Sequence, residues 1–440
     1  GGGNTLLLDT GATSGATLGV TSVDNVSTLT IRDAGGLATI GNVGAGTAGA
    51  VTVTDSTSGV TFSGTLDATT LTLTNTTAGQ SVTFQGNVNA TTLSTAAVGY
   101  NVAFDEDVTV TNDVTFANTG TITIGSAVDD IATFNGGVDT TSGSTETLNG
   151  IIRTSGDQMD FGGVTLGSDV TLDATNNGGS ATGANITVAS ITGTTDALTL
   201  NAGTGGAVSV TGNTSGVSTL TLTNSNGATF TGTVGAATVA LTDTSDGQTI
   251  AFQDNVTLTS GLTTASQGYN VSLTGTTNSI AGATTFSNTG TVTIGNGADT
   301  TTFTGGVTAT AASSINIAGT LASSGTAGIT LGDADTGVSV TANTTVGGAG
   351  TGTLDLGDAT LADGVTLTVG TGVGNAINLD AVTGTANNAV SNLTINTTGA
   401  VNVAEAIGTD IGTVTVTQSG GTTFAGTERK STRLNSSHQI

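Results

Sequence analysis

The chain contains neither cysteine nor proline. Without cysteine, neither disulfide bonds nor thiolate metal sites can hold the fold together. Because proline lacks a backbone N–H donor, its absence suits a continuous stack of strands in which most interior N–H groups donate to a neighbour. Stability must therefore come from repeated burial of apolar side chains.

Positive charge is almost as scarce. Five Lys and Arg residues stand against 31 Asp and Glu residues, and all charged residues together make up 8% of the chain. Nucleic-acid phosphates are bound by clustered Lys and Arg, so we expect no nucleic-acid partner. No apolar run approaches the roughly 20 residues of a membrane helix, so we expect no direct membrane insertion of this segment.

The two ends of the chain carry their own expectations. The chain begins at Gly1 and holds a single methionine, Met159. We expect the natural protein to extend upstream, so a missing signal peptide says nothing about export. Residues 428–440 differ abruptly from the rest and include the one histidine, His438. This tail resembles a translated sequencing adapter and is predicted to be non-native.

Short segments in which apolar residues alternate with threonine recur along the chain. Period two with β-branched residues indicates strands, with Val, Leu and Ile inward and Thr outward. Clusters of Gly and Asn separate them, as is typical of tight corners. Apolar residues reach 35%, which argues against a disordered chain. The sequence predicts an all-β fold. The alternating segments include Val51–Thr54, Leu71–Thr74, Val108–Thr111 and Thr413–Val416.

The chain contains an internal duplication. Residues 59–138 recur at 227–307 with an offset that stays between 168 and 170. So many coincidences in register indicate a repeated structural block. The matches include Val60–Thr65 with Ala228–Thr233, Gly99–Val102 with Gly268–Val271, Phe116 with Phe286, and Phe134 with Phe303.

Phenylalanine spacing indicates how the strands are arranged. The interval from Phe62 to Phe84 is nearly equal to the interval from Phe84 to Phe104. The sequence therefore predicts a parallel β-helix, or β-solenoid, with coils of roughly 20 residues and one ring stacked on the next. Each buried ring contributes about 1.5–3 kcal/mol. Upstream of the duplicated block, the offset between matching segments of the two copies is eleven residues shorter. This difference suggests a unit of eleven residues, made of one strand and one corner, with two such units in each coil.

The competing architecture is a string of immunoglobulin-like sandwiches. Such domains usually carry an aromatic plug near the core, whereas this chain has no tryptophan and two tyrosines. Linkers marked by proline are also lacking. We therefore predict one continuous β-solenoid fragment over residues 1–427.

The alternating Val-Thr segments, the Gly-Asn corners and phrases such as Gly163–Asp173 (GVTLGSDVTLD) resemble the repetitive passenger regions of bacterial autotransporter and filamentous-haemagglutinin-like surface adhesins. The resemblance covers nearly the whole chain to about residue 427, through compositional motifs. It implies an exported, extended and adhesive protein. Neither a membrane-anchoring barrel nor a secretion domain is visible, so the export route stays open.

The residue types on which common active sites depend are missing. Outside the tail there is no His, Cys or Lys, so triads, imidazole bases and zinc sites cannot be assembled. Parallel β-helices also host polysaccharide lyases, but a lyase needs a cationic group over its substrate. Arg32 and Arg153 are too far apart in sequence to imply a shared site. The two tyrosines, Tyr100 and Tyr269, occupy equivalent repeat positions and indicate packing rather than sugar platforms.

Carboxylates supply two further candidate sites. Paired acids for glycoside hydrolysis could come from Asp105, Glu106 and Asp107, or from Asp129 and Asp130, although solvated loop acids are the simpler interpretation. Asp333 and Asp335, with Gly337, have the spacing of a shortened calcium loop, and residues 347–352 resemble a calcium-binding glycine-rich repeat without its aspartate. Ordinary corners are the simpler interpretation of these segments, and the sequence leaves calcium binding open.

Thr-X-Thr motifs raise one more possibility. Ladders of this motif on a solenoid face form the ice-binding surface of some antifreeze proteins, but they demand strict registry. The coils inferred from the phenylalanine intervals vary in length, so the sequence favours threonine as a generic outward strand former.

We therefore predict a structural rod segment of a secreted bacterial surface adhesin or filament, located at the cell surface or outside the cell. Expected partners are glycans or proteins of a host or neighbouring cell surface or of the extracellular matrix. No enzyme activity, catalytic residue, cofactor or metal ligand is predicted. The alternative is a carbohydrate-active β-helix enzyme, either a polysaccharide lyase or a hydrolase.

Overall fold

The structure is a computed structural model that describes residues 3–11, 13–32, 35–74, 76–386 and 389–426. Every strand or helix assigned in these residues is a β-strand, which confirms the all-β prediction. The predicted non-native tail at 428–440 lies outside the described residues. The chain forms two compact units, residues 1–226 and 227–440.

The first unit is built from short strands joined by tight corners. Its strands are β1 (Thr5–Asp9), β2 (Leu18–Val23), β3 (Thr28–Arg32), β4 (Ala38–Val53), β5 (Val60–Phe62), β6 (Leu66–Leu73), β7 (Ser81–Phe84), β8 (Val88–Thr95), β9 (Asn101–Phe104), β10 (Val108–Val110), β11 (Val114–Thr115), β12 (Ile122–Ile124), β13 (Ile131–Phe134), β14 (Val138–Asp139), β15 (Glu146–Arg153), β16 (Met159–Asp173), β17 (Ile186–Thr192), β18 (Leu198–Asn201), β19 (Val208–Val210) and β20 (Thr214–Asn224).

Strands of the first unit pair in parallel with strands of the next coil. On one side of the solenoid, the register partners in six successive coils are Val60, Val82, Val102, Ile122, Glu146 and Val164. Their intervals along the chain differ from coil to coil, and the corners absorb these differences because the strands themselves stay in register. The predicted parallel β-solenoid is confirmed, with coils of about 22 residues.

The central coils of this unit have three sides. The first side follows β5, β7, β9 and β12, and the second follows β10 and the first halves of β6 and β8. The third side follows β3 and the last parts of β4, β6 and β8. Within β6 the in–out alternation breaks at Thr69 and Thr70, which both point outward. The coils are therefore three-sided rather than built from two eleven-residue units.

Phenyl rings stack along the core of the first unit. Phe62 and Phe84 lie 5.0 Å apart between ring centroids at an interplanar angle of 8°, and Phe104 follows at 5.0 Å and 10°. All three side chains are buried. Phe116 then meets Phe104 edge-on at 6.3 Å, a geometry that adds about 0.5–1.5 kcal/mol beyond burial. The predicted one-ring-per-coil stack is present.

The second unit follows the same rules. Its strands are β21 (Ala228–Phe230), β22 (Val234–Leu241), β23 (Thr249–Phe252), β24 (Val256–Thr264), β25 (Asn270–Leu273), β26 (Thr277–Ile280), β27 (Thr284–Phe286), β28 (Thr291–Ile294), β29 (Thr300–Phe303), β30 (Val307–Ala309), β31 (Ser314–Ser323), β32 (Ile329–Leu331), β33 (Gly337–Gly348), β34 (Leu354–Leu356), β35 (Ala359–Leu361), β36 (Thr366–Val369), β37 (Ile377–Leu379), β38 (Val382–Gly384), β39 (Ser391–Asn396), β40 (Val401–Val403), β41 (Ile411–Gln418) and β42 (Thr422–Phe424).

Aromatic packing of the first unit is repeated inside the second. Phe230 and Phe252 stack at 5.0 Å and 9°. The position after Phe252 in the register is Leu273, so the stack ends one ring earlier than in the first unit. Phe286 and Phe303 meet edge-on at 6.4 Å. The duplication seen in the sequence is thus also a duplication of core contacts.

The tyrosines are packing residues, as predicted. In the first unit the hydroxyl of Tyr100 donates to the Leu73 carbonyl at 2.8 Å and accepts from the Ala96 N–H at 3.0 Å. In the second unit Tyr269 repeats both bonds, with the Leu241 carbonyl at 2.8 Å and the Ala265 N–H at 2.9 Å. Both rings are fully buried.

Candidate functional site

A groove with a volume of about 400 Å³ opens on the surface of the first unit. Its floor contains Ala68 and Ala90, which are register partners in neighbouring coils and are both buried. By the in–out alternation of β6 and β8, both methyl groups point into the core, beneath the outward side chains of Asp67 and Asn89. The groove is largely open to solvent. The groove is lined by Gly44, Asp67, Ala68, Thr69, Asn89, Ala90, Thr91, Thr109 and Thr111.

The groove wall carries one fixed polar pair. The side-chain amide of Asn89 donates to Oδ1 of Asp67 at 2.8 Å. This bond orients the amide, so that its carbonyl oxygen and the second Asp67 oxygen remain available as acceptors. The threonine hydroxyls along the walls both donate and accept hydrogen bonds. The lining suits an uncharged ligand rich in hydroxyl groups.

The second copy of the duplicated block has lost this chemistry. It carries Gly235, Thr257 and Leu258 at the positions of Asp67, Asn89 and Ala90. Gly235 and Thr257 are register partners, as Asp67 and Asn89 are in the first copy. The carboxylate is therefore missing from the second copy, and a buried leucine stands at the inward position of Ala90. The groove chemistry belongs to the first copy.

The structure brings three of the sequence-predicted acids into neighbouring loops. Oδ1 of Asp107 accepts from the Ile131 N–H at 2.7 Å, and Oδ2 of Asp130 accepts from the backbone N–H groups of residues 126 and 127 at 2.6 and 2.8 Å. Burial raises the pKa of Asp105, and the nearby charge of Asp130 raises it further. Glu106 and Asp129 are exposed.

These carboxylates serve turns rather than an open cleft. In the second unit Asp299 occupies the position of Asp130 and accepts from the Asn296 N–H at 2.7 Å. The Asp130 contact is therefore part of the duplicated architecture. Asp105 has Thr274 as its counterpart, so the acid pair is not repeated. The geometry favours the interpretation of these residues as structural loop acids.

The structure does not bring the two arginines together. Arg32 forms an ion pair with Asp9 at 2.7 Å on the exposed surface. Arg153 donates from Nε to the Thr133 hydroxyl at 2.9 Å in a different coil. Neither lies in the lining of the groove.

At the candidate calcium loop the carboxylate organises a turn. Oδ1 of Asp333 accepts from the N–H groups of Asp335 and Thr336, both at 3.0 Å, while Asp335 is exposed. Gly347 and Gly348 end strand β33 instead of forming a free loop. Within the described ranges, no group of three His, Cys, Asp or Glu residues is arranged to hold a metal ion.

Sequence reasoning missed the buried carboxyl group of Glu146. It is fully buried and lies in register between Ile122 and Val164. Burial raises its pKa to about 7. The signal was present in the alternation, because Thr145–Leu148 repeats the pattern of Thr121–Ile124 with glutamate at an inward aliphatic position.

Comparison with known proteins adds no relative: no family model, curated protein or solved structure matches the chain. In the part of the chain that the structure describes, no helix is long and apolar enough to cross a membrane. The fold and the outer surface of the coils therefore carry the functional argument.

Proposed function

We propose that the chain is a structural rod segment of a secreted bacterial surface adhesin or filament and that it contacts uncharged glycans through the groove of the first unit. The observation that carries the proposal is the combination of a repetitive β-solenoid with a groove lined by Asp67, Asn89 and threonine hydroxyls. A repetitive fold lets coils be added without disturbing the rest of the core, because each coil contacts its neighbours alone. This property suits a surface spacer.

Charge supports an uncharged partner. The net charge of -26 disfavours polyanionic glycans and anionic lipid surfaces, since like charges repel. The groove presents oriented acceptors on Asp67 and Asn89 and the hydroxyl groups of its threonines. The resemblance of the repeats to adhesin passenger regions points to export and to the cell surface.

Adhesion of beads coated with the whole protein to surfaces bearing neutral glycans tests the proposal. We expect the beads to bind and the double variant Asp67→Gly, Asn89→Thr to lose binding, because it gives the first copy the outward residues of the second. Thr257→Ala is the matched control and should bind like the unaltered protein. Failure of the unaltered protein to bind any neutral glycan, or equal binding by the double variant, would remove the groove from the proposal.

The carbohydrate-active enzyme is the second candidate, because Asp105 and Asp130 lie close enough to interact. We expect no depolymerisation when the protein is incubated with acidic and neutral polysaccharides. Turnover that is lost in Asp105→Asn or Asp107→Asn, but kept in Glu106→Gln, would favour the enzyme over the adhesin segment.

A further inference from the structure

The third side of the first unit carries a two-dimensional array of threonines, which we call the threonine array. It consists of two outward ranks on β3, β4, β6 and β8. The first rank is Thr28, Ala50, Thr70 and Thr92, and the second rank is Thr30, Thr52, Thr72 and Ser94. All positions but Ala50 carry a hydroxyl group. The apolar residues between the two ranks, Leu29, Val51, Leu71 and Leu93, are buried and hold the strands in place.

The array keeps strict register although the coils differ in length. Thr30 pairs with Thr52, Thr52 with Thr72, and Thr72 with Ser94. The interval from Thr52 to Thr72 is shorter than the intervals on either side of it, and the corners take up the difference. Unequal coil length, which argued against an ordered ladder at the level of sequence, therefore does not disturb this side.

The geometry of parallel strands fixes the two repeats of the array. Neighbouring strands lie about 4.8 Å apart, and residues two apart along a strand are separated by about 6.7 Å. Threonine is β-branched and has restricted χ1 rotamers, so its methyl and hydroxyl groups are held in place before any ligand arrives. The hydroxyls of Thr30, Thr52 and Thr72 have no hydrogen-bond partner among the residues that the structure describes.

We propose that the threonine array binds ice. A rigid, uncharged lattice of methyl and hydroxyl groups can order the adjoining water layer, and its two repeats are close to oxygen repeats on crystalline ice surfaces. The array positions carry neither charge nor an aromatic ring, which disfavours ionic ligands and sugar stacking. The inference goes beyond the adhesin proposal and does not depend on it, because the groove is not needed for contact with ice.

The second copy shows that the array is not required by the fold. Its matching positions are Thr238 and Ala240 on β22, paired with Gly261 and Thr263 on β24. The coils there keep parallel register with half of the hydroxyls. Threonine at these outward positions is therefore dispensable for stacking, so substitutions in the array can be tested without loss of the coil.

Ice affinity of the whole protein tests the proposal directly. We expect the unaltered protein to be incorporated into a slowly growing ice hemisphere and to produce thermal hysteresis. The triple variant Thr30→Lys, Thr52→Lys, Thr72→Lys should lose both activities. The matched control is Thr39→Lys, Thr61→Lys, Thr83→Lys, which adds the same charge to an in-register outward rank on another side and should retain both.

Circular dichroism and thermal melting establish that each variant is folded, and the single variant Thr52→Lys replaces the triple if it unfolds. Absence of ice incorporation and hysteresis in the unaltered protein would overturn the proposal. So would equal activity in the array and control variants, or binding to crystalline cellulose without affinity for ice. Loss of glycan adhesion in the Asp67→Gly, Asn89→Thr variant should leave ice binding unchanged, which separates the two proposals.

Discussion

The carboxyl group of Glu146 accepts a hydrogen bond from the backbone N–H of Gly162 at 2.8 Å inside the core of the first unit. Its second oxygen has no partner among the described residues. A buried carboxylate with one open oxygen is costly, because burial favours the neutral form. The pKa of about 7 therefore links the stability of this unit to pH.

The raised pKa predicts the direction of that link. Glu146 holds its proton more tightly in the folded state than in the unfolded state. The protonated carboxyl group therefore contributes its full stabilisation of the fold below the unfolded pKa of 4.5, and this contribution is lost as pH rises through about 7. The loss amounts to roughly 3 kcal/mol. Urea unfolding at pH 5 and pH 8 should show that Glu146→Gln loses less stability over this range than the unaltered protein.

Glu106→Gln is the control for this experiment, because Glu106 is exposed. The stability of the Glu106→Gln variant should fall as pH rises from 5 to 8, in parallel with that of the unaltered protein. Parallel curves for Glu146→Gln as well would show that the buried carboxyl group does not control the pH response.

The phenyl stack predicts unequal effects of two substitutions. Phe84→Ala should lower the free energy of unfolding by about 3–5 kcal/mol, because it opens a cavity between two stacked rings. Phe104→Leu should cost less than about 1.5 kcal/mol, since Leu273 occupies the matching place in the second copy. Denaturant unfolding measures both values. A smaller loss for Phe84→Ala than for Phe104→Leu would contradict a stacked core.

The buried tyrosine predicts an effect of removing one oxygen atom. Tyr100→Phe removes the hydroxyl that bonds both the Leu73 carbonyl and the Ala96 N–H. These two backbone groups stay bonded to each other at 2.9 Å, so the loss should be about 0.5–1.5 kcal/mol. Tyr269→Phe should destabilise the second unit by a similar amount for the same reason. Unfolding free energies of the two variants would contradict this account if either matched the unaltered protein.

Much of this fold could be predicted from sequence because its signals are local. Val-Thr alternation and the intervals between Phe62, Phe84 and Phe104 give the strands and the coil length. The three-sided coil could not be predicted, since β6 supplies two sides without a Gly or Asn between them. The groove was missed because Ala68 and Ala90 become neighbours only through the register of two coils.

The calcium-loop segment predicts stability that is independent of metal. The carboxylate of Asp333 already accepts two backbone N–H groups, so Asp333→Ala should lower the melting temperature with or without calcium. A chelator should leave the melting temperature of the unaltered protein unchanged. A fall on chelation that is absent in Asp333→Ala would show that calcium occupies this turn.

The central claim is that successive coils of the chain stack in parallel register. The chain has no native cysteine. Nitroxide labels on two introduced cysteines therefore report the distance between the two chosen positions and no other. Thr61→Cys with Thr83→Cys, which are register partners, should show strong spin–spin broadening in electron paramagnetic resonance spectra. Thr61→Cys with Ala103→Cys, two coils apart, should show much weaker broadening. Equal broadening in both pairs, or none in the first, would contradict the solenoid.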